Sequence, residues 1–190
     1  PQVTIYSVPT DVRDRDTGPA LAESALRIAE ALENPEATAK TLWNLLLQHF
    51  YMGLNYDEGV EYGERALKIA REHELDDLLP FILNDLGRAY SSSFKFDQAY
   101  AVQKEAESIW REEGNLHMLA DNLTTAADLL FGRGEFDESK ELAAEALEIS
   151  RRIDNLWGQA YSMMVLAGTM VECGEISDGI AMIEECMRIG

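Results

Sequence analysis

The sequence predicts an all-α fold built of antiparallel helix pairs. Three observations carry that prediction. First, Tyr56, Phe96, Phe136 and Ile176 recur at intervals of 40 residues, followed by Asp57, Asp97, Asp137 and Ser177. Second, an apolar quartet lies upstream of each: Trp43/Leu46/Leu47/Phe50, Leu83/Leu86/Gly87/Tyr90, Leu123/Ala126/Ala127/Leu130 and Met163/Leu166/Ala167/Met170. Offsets of three, four and seven put each quartet on one face of a helix. Third, nothing between residues 19 and 190 alternates with period two over a useful length.

The elements follow in chain order. Residues 1–18, with Pro1, Pro9 and a Val-Thr-Ile-Tyr run, read as an extended lead-in or linker. Residues 19–34 read as the second helix of an earlier unit, because Ala25-Leu26-Arg27-Ile28-Ala29 matches Ala66-Leu67-Lys68-Ile69-Ala70 at an offset of 41. Four repeats then span about 35–75, 76–114, 115–154 and 155–190, completing a solenoid over 19–190. Asn34-Pro35 has the chemistry of an N-cap followed by a first-turn proline, and Asp76, Asn115 and Asn155 occupy the corresponding entries. In each second helix Asp57, Asp97, Asp137 or Ser177 is expected to accept from orphan N–H groups as the N-cap. Ten residues after the aromatic comes a small residue, Ala66, Ala106, Ala146 or Cys186, and three further on Ile69, Ile109, Ile149 or Ile189.

Composition narrows the functional classes. The 190 residues carry 35 acids against 16 Lys plus Arg, a formal net charge of −19. Nucleic-acid surfaces and polybasic membrane docks depend on cationic neutralisation, so neither is expected. No apolar run approaches the roughly 18–20 residues of a membrane span. Two cysteines, Cys173 and Cys186, suggest no disulfide framework, and no signal peptide is visible. A cytoplasmic location is the expectation. The missing initiator Met, and an end inside a helical pattern, read as a piece of a longer chain.

The repeat pattern resembles the tetratricopeptide family, whose units carry W-x2-L-G-x2-Y and then small residues in the second helix. Trp43-x2-Leu46-Leu47-x2-Phe50 and Leu83-x2-Leu86-Gly87-x2-Tyr90 match best, and the later two quartets keep the size pattern. Gly59, Ala99, Ser139 and Gly179 take the place where the two helices cross. The period departs from the usual 34, and Arg71, Arg111 and Arg151 stand near the place of the closing proline. The extra residues are expected to lengthen the second helix or the loop after it. Long repeats of this kind are similar to those of kinesin light chains and of bacterial STAND-type regulators and cyclases. The Ala-Leu-x-Ile-Ala/Ser run followed by an Asn-Leu loop resembles the bacterial group most.

The resemblance implies a right-handed α-α superhelix, a TPR-like solenoid of antiparallel helix pairs, with a groove lined by the first helices. The residues it places there are Thr41, Asn44, Gln48 and Tyr51; Phe81, Asn84, Arg88 and Ser91; Asp121, Thr124, Asp128 and Phe131; Tyr161, Met164, Gly168 and Val171. Amides can pair with a peptide backbone, aromatics supply contact area, and Met adapts its shape. Such a groove suits a peptide or helix with apolar anchors and a basic residue near Asp121 and Asp128. With Arg88 alone, a clamp on an acidic C-terminus is not expected.

Other constellations carry less. Gly132-Arg133-Gly134 falls between helices rather than after a strand, which fits a repeat turn better than a phosphate loop. Asp14-Arg15-Asp16 lacks the bidentate acid that a calcium loop needs. His49, His73 and His117 lie in separate repeats, so no metal site is expected, and Cys186 replaces a core Ala. Acids such as Glu61, Glu141 and Glu148 are expected on the outer face of the second helices, as a solvated face, with docking of a basic partner segment as the alternative. The expected function is a non-enzymatic protein-interaction module without cofactor. The alternative is an effector-sensing segment of a larger bacterial signalling or transcription-regulatory protein. A homodimer through exposed solenoid ends, at Ile180/Ile183/Met187, is a further possibility.

Overall fold

The computed structural model describes residues 17–189, and among these every regular element is an α-helix. They are α1 (Thr17–Ala31), α2 (Pro35–Met52), α3 (Tyr56–Glu72), α4 (Leu79–Ser92), α5 (Phe96–Glu113), α6 (Leu116–Arg133), α7 (Phe136–Arg152), α8 (Leu156–Glu172) and α9 (Ile176–Ile189). Helix α1 begins at Thr17, two residues inside the segment expected as lead-in. The rest of that segment, with the Asp14-Arg15-Asp16 run, lies outside the described residues. The chain divides into two compact units, Pro1–Val102 and Gln103–Gly190, with the boundary falling inside α5. In the first unit α2 packs on α1, α3 and α4. In the second, α8 packs on α6, α7 and α9.

The 40-residue period is absorbed by helix, not loop. Helices α6 and α7 take 18 and 17 residues and leave only Gly134 and Glu135 between them. The joint after α6 is closed by backbone hydrogen bonds. After α6, Gly134 N–H donates to the Phe131 carbonyl at 3.0 Å and Glu135 N–H to the Leu130 carbonyl at 2.9 Å, with Gly134 at φ 79°. This αL cap consumes two of the carbonyls a helix end leaves over.

The N-caps correct the sequence expectation by two residues. Asn55, not Asp57, caps α3, its side chain accepting from the backbone N–H of Asp57 and Glu58. Tyr56, Phe96, Phe136 and Ile176 are themselves the first helical residues. Asp57, Asp97 and Asp137 therefore fall in the first turn, where a carboxylate complements the helix dipole. Among first helices, Asn34, Asn115 and Asn155 cap as expected. Asp76 does not, because α4 starts only at Leu79 and Leu78 precedes it without a side-chain cap.

The core is built where small residues let helices approach. A Cβ on Gly59 would stand 2.8 Å from the His49 Cβ, and one on Gly179 2.8 Å from the Val171 Cγ2. Ser139 occupies that crossing in the third repeat by donating to the Ala127 carbonyl at 2.8 Å. Ala66, Ala106 and Ala146 are fully buried, whereas Cys186 is half-buried with a free thiol. In the second unit Ala127, Ala143, Leu147, Met163, Val165 and Leu166 form one cluster. Three members of the predicted stripe, Trp43, Phe50 and Met170, are only half-buried.

Ion pairs join successive second helices. Arg111 is bidentate to Glu145, at 2.8 and 3.0 Å, and Arg151 reaches Glu185 at 2.7 Å. These arginines stand near the place of the family's closing proline. Arg111 also donates to Glu107 at 2.9 Å, and Lys104 donates to the other carboxylate oxygen at 2.8 Å. Burial alone would push the Glu107 carboxyl up, but the hydrogen bonds from Lys104 and Arg111 outweigh it and hold it below its ordinary value. A carboxyl depressed in the folded state contributes stability above its unfolded pKa and loses it as pH falls. Glu107→Gln should therefore cost about 1 kcal/mol at neutral pH. That gap from the parent chain should close as pH falls through and below about 4.3. Urea midpoints measured from pH 7 to acid test this, and a gap independent of pH would refute it.

Candidate binding face on the first helices

Burial sorts the sixteen inferred groove positions. Asn44, Gln48, Asn84 and Thr124 are buried, so these side chains do not face solvent. The Asn44 Nδ2 donates back to the Lys40 carbonyl of its own helix at 2.6 Å. Thr124 bonds the Ser162 hydroxyl of the next first helix at 2.8 Å. The physical reason is lateral packing: a first helix touches its own partner and also the first helix that follows. Met164 occupies the same register as Asn44, Asn84 and Thr124 but is 65% exposed. Its exposure belongs with that of Ile180, Ile183 and Met187, on the side of α8 and α9 where no further described helix packs.

In the first unit the half-buried positions form a tied cluster. Trp43 Nε1–H donates to Asp85 Oδ2 at 2.8 Å, and the Trp43 and Phe81 rings lie 5.9 Å apart. Arg88 donates to Asp85 Oδ1 at 3.2 Å and reaches the Tyr51 hydroxyl at 3.5 Å. The Arg88 and Asp85 side chains are only 12% and 13% exposed. This group holds α2 against α4, and its guanidinium is committed inside the protein. Asp85 was not a sequence candidate, since its equivalents Leu45, Thr125 and Val165 carry no charge.

The second unit offers a more open face. Along α8 a stripe runs through Trp157, Tyr161, Gly168 and Val171. The Trp157 and Tyr161 rings are 5.4 Å apart, and Trp157 is 62% exposed. Gly168 leaves a gap against α6, where an added Cβ would meet only the Phe131 ring, at 3.7 Å. Phe131 is half-buried, with the Phe136 ring 5.8 Å behind it. Asp128 lies one turn earlier on α6 and is exposed, and Asp121 is half-buried two turns before that. The result is a small notch at Gly168 against the Phe131 ring, with the Trp157–Tyr161 pair two to three turns earlier on α8 and carboxylates on α6. Such a surface can seat an apolar side chain and attract a cation beside it. Trp157 was missed in the sequence, although its place four residues before Tyr161 puts it on the same stripe.

Among the described residues no cluster of three or more His, Cys, Asp and Glu could hold a metal ion. No described helix is long and apolar enough to cross a membrane.

Residues 120–153, the body of α6 and α7, match the tetratricopeptide repeat family model. No curated protein sequence matches the chain. Among solved structures, BtubC (BKLC) from P. vanneervenii superposes with a TM-score of 0.80 at 20% identity, over 93% of this chain and 73% of that one. The kinesin light chain TPR-like repeats of Podosopora anserina superpose at 0.74 and 17% identity, over 92% and 86%. The apo form of RapI gives 0.80 at 15% identity, over 93% of this chain and 64% of that one. The fold is thus that of tetratricopeptide-like helical repeat arrays. Arrays of this type commonly mediate protein–protein interaction and are generally not enzymes.

Proposed function

We propose that the chain is a protein-interaction module that holds a peptide or helix against α6 and α8. One observation carries the reading: the notch at Gly168, floored by Phe131 with Asp128 beside it. An apolar anchor of the ligand enters the notch, and the Trp157–Tyr161 pair flanks it with large, rigid contact area. Asp121 and Asp128 favour a Lys or Arg next to the anchor, in keeping with the chain's net charge of −19. The buried amides Asn44, Gln48 and Asn84 act in packing rather than recognition.

Selection of peptides from a random library against the intact chain tests the reading. Selected peptides are expected to combine an apolar anchor with Lys or Arg. Gly168→Leu fills the notch while improving helix propensity, so it should fold and yet bind about tenfold more weakly. Asp121→Ala with Asp128→Ala should weaken binding and flatten its salt dependence. Peptides bound equally well by all variants would remove this face as the site.

A further inference from the structure

We propose that Phe94 is a second docking anchor, offered together with Leu54 to an amphipathic helix that carries Lys or Arg beside its apolar face. The turn after α4 closes as the others do. Phe94 N–H donates to the Ser91 carbonyl at 3.0 Å and Lys95 N–H to the Tyr90 carbonyl at 2.8 Å. This geometry requires a left-handed residue at its corner. The turns after α2, α6 and α8 place Gly53, Gly134 and Gly174 there, at φ 61°, 79° and 83°. The turn after α4 places Phe94, at φ 57°.

A Cβ disfavours that conformation, and a bulky aromatic has no local hydrogen bond with which to offset it. The other left-handed non-glycine residues among those described, Glu33, Glu74 and Asp154, are polar. Nor does packing repay the strain. The Phe94 ring is 81% exposed, and the ring contact it makes is edge-on to Phe96, with centroids 6.0 Å apart. A strained residue that presents an unused apolar ring to solvent points to work outside the fold.

The surroundings indicate the partner. Lys95 Nζ lies 3.6 Å from Asp57 Oδ1, which ties this turn to the one before α3. There Leu54 is 49% and Tyr56 39% exposed. Around these apolar tips stand Asp57, Glu58 and Asp97, all exposed, while Lys95 is paired with Asp57. An apolar tip with an acidic rim complements a basic amphipathic helix, and the same rim opposes an anionic lipid surface. This site lies in the first unit and does not depend on the notch at Gly168.

The test uses the intact chain and a synthetic Leu/Lys amphipathic helix about 18 residues long, titrated in about 0.15 M salt. Phe94→Gly should raise the thermal midpoint by about 2–4 °C, by relieving the left-handed strain, and weaken peptide binding about tenfold. Phe94→Leu, which keeps both strain and apolar bulk, should leave the midpoint unchanged and retain most of the affinity. Unchanged affinity in Phe94→Gly would overturn the proposal. So would an unchanged or lowered midpoint in that variant, since the ring would then be structural. Affinity lost through Gly168→Leu instead would put the peptide on α6 and α8. Phosphatidylcholine vesicle binding, or self-association in sedimentation, that disappears in Phe94→Gly would make the occupant a bilayer or a second copy, and either result overturns the partner proposed.

Discussion

Met163→Ala is expected to lower the stability of the chain by about 3 kcal/mol, within the 2–5 kcal/mol range of Met truncations in cores. Met163 is fully buried on α8, in the cluster with Ala127, Ala143, Leu147, Val165 and Leu166. Its neighbours there are already small or branched, so they offer little side-chain volume with which to fill the space left. A cavity would therefore remain and add to the lost transfer free energy. A urea titration followed by helical circular dichroism should show a lower midpoint at unchanged slope. Met164→Ala, one residue on and 65% exposed, should stay within about 0.5 kcal/mol of the parent. Equal losses in the two variants would contradict the burial that separates them.

Trp110→Ala is expected to cost about 3–5 kcal/mol. Trp110 is 1% exposed near the end of α5, where the equivalent positions in the neighbouring repeats hold Ala70 and Ser150. The second repeat thus buries an indole at a position where its neighbours bury small side chains. Removing it leaves too large a space for small neighbours to collapse into. Trp157→Ala makes the control: the same residue type, 62% exposed on α8, should barely change stability. Thermal melts of both variants decide the point. If Trp157→Ala destabilised as much as Trp110→Ala, the open face on α8 would have to be packed in solution.

Much of the architecture was legible before any coordinates. The 40-residue register located the second helices to within two residues, and Asn34, Asn115 and Asn155 marked first-helix entries because an Asx oxygen suits that role. The entry to the second repeat was read too early, since Asp76 lies within a longer joint, residues 73–78, that ends at Leu78. The second-helix caps were misplaced because an acid in the first turn and an acid at the cap look alike in sequence; both are favoured near a helix start.

The candidate site was legible only in part. Tyr161, Phe131 and Asp121 are half-buried and Asp128 is exposed, whereas Asn44, Gln48 and Asn84 are interior. Period alone cannot separate those cases, because a helix face is polar in sequence whether it meets water or another polar helix. Phe94 was visible as a break in register, aligned with Gly134 and Gly174, yet a break acquires meaning only once φ and exposure are known.

The sequence by itself determined the helices, their pairing and the small residues at their crossings, since these depend on contacts within one repeat. The tertiary structure decided which polar residues of the first helices face solvent, where the arginines find their carboxylates, and which turn is strained. Those outcomes depend on the neighbouring repeat and on backbone dihedrals at single residues, and neither is carried by a pattern of residue types.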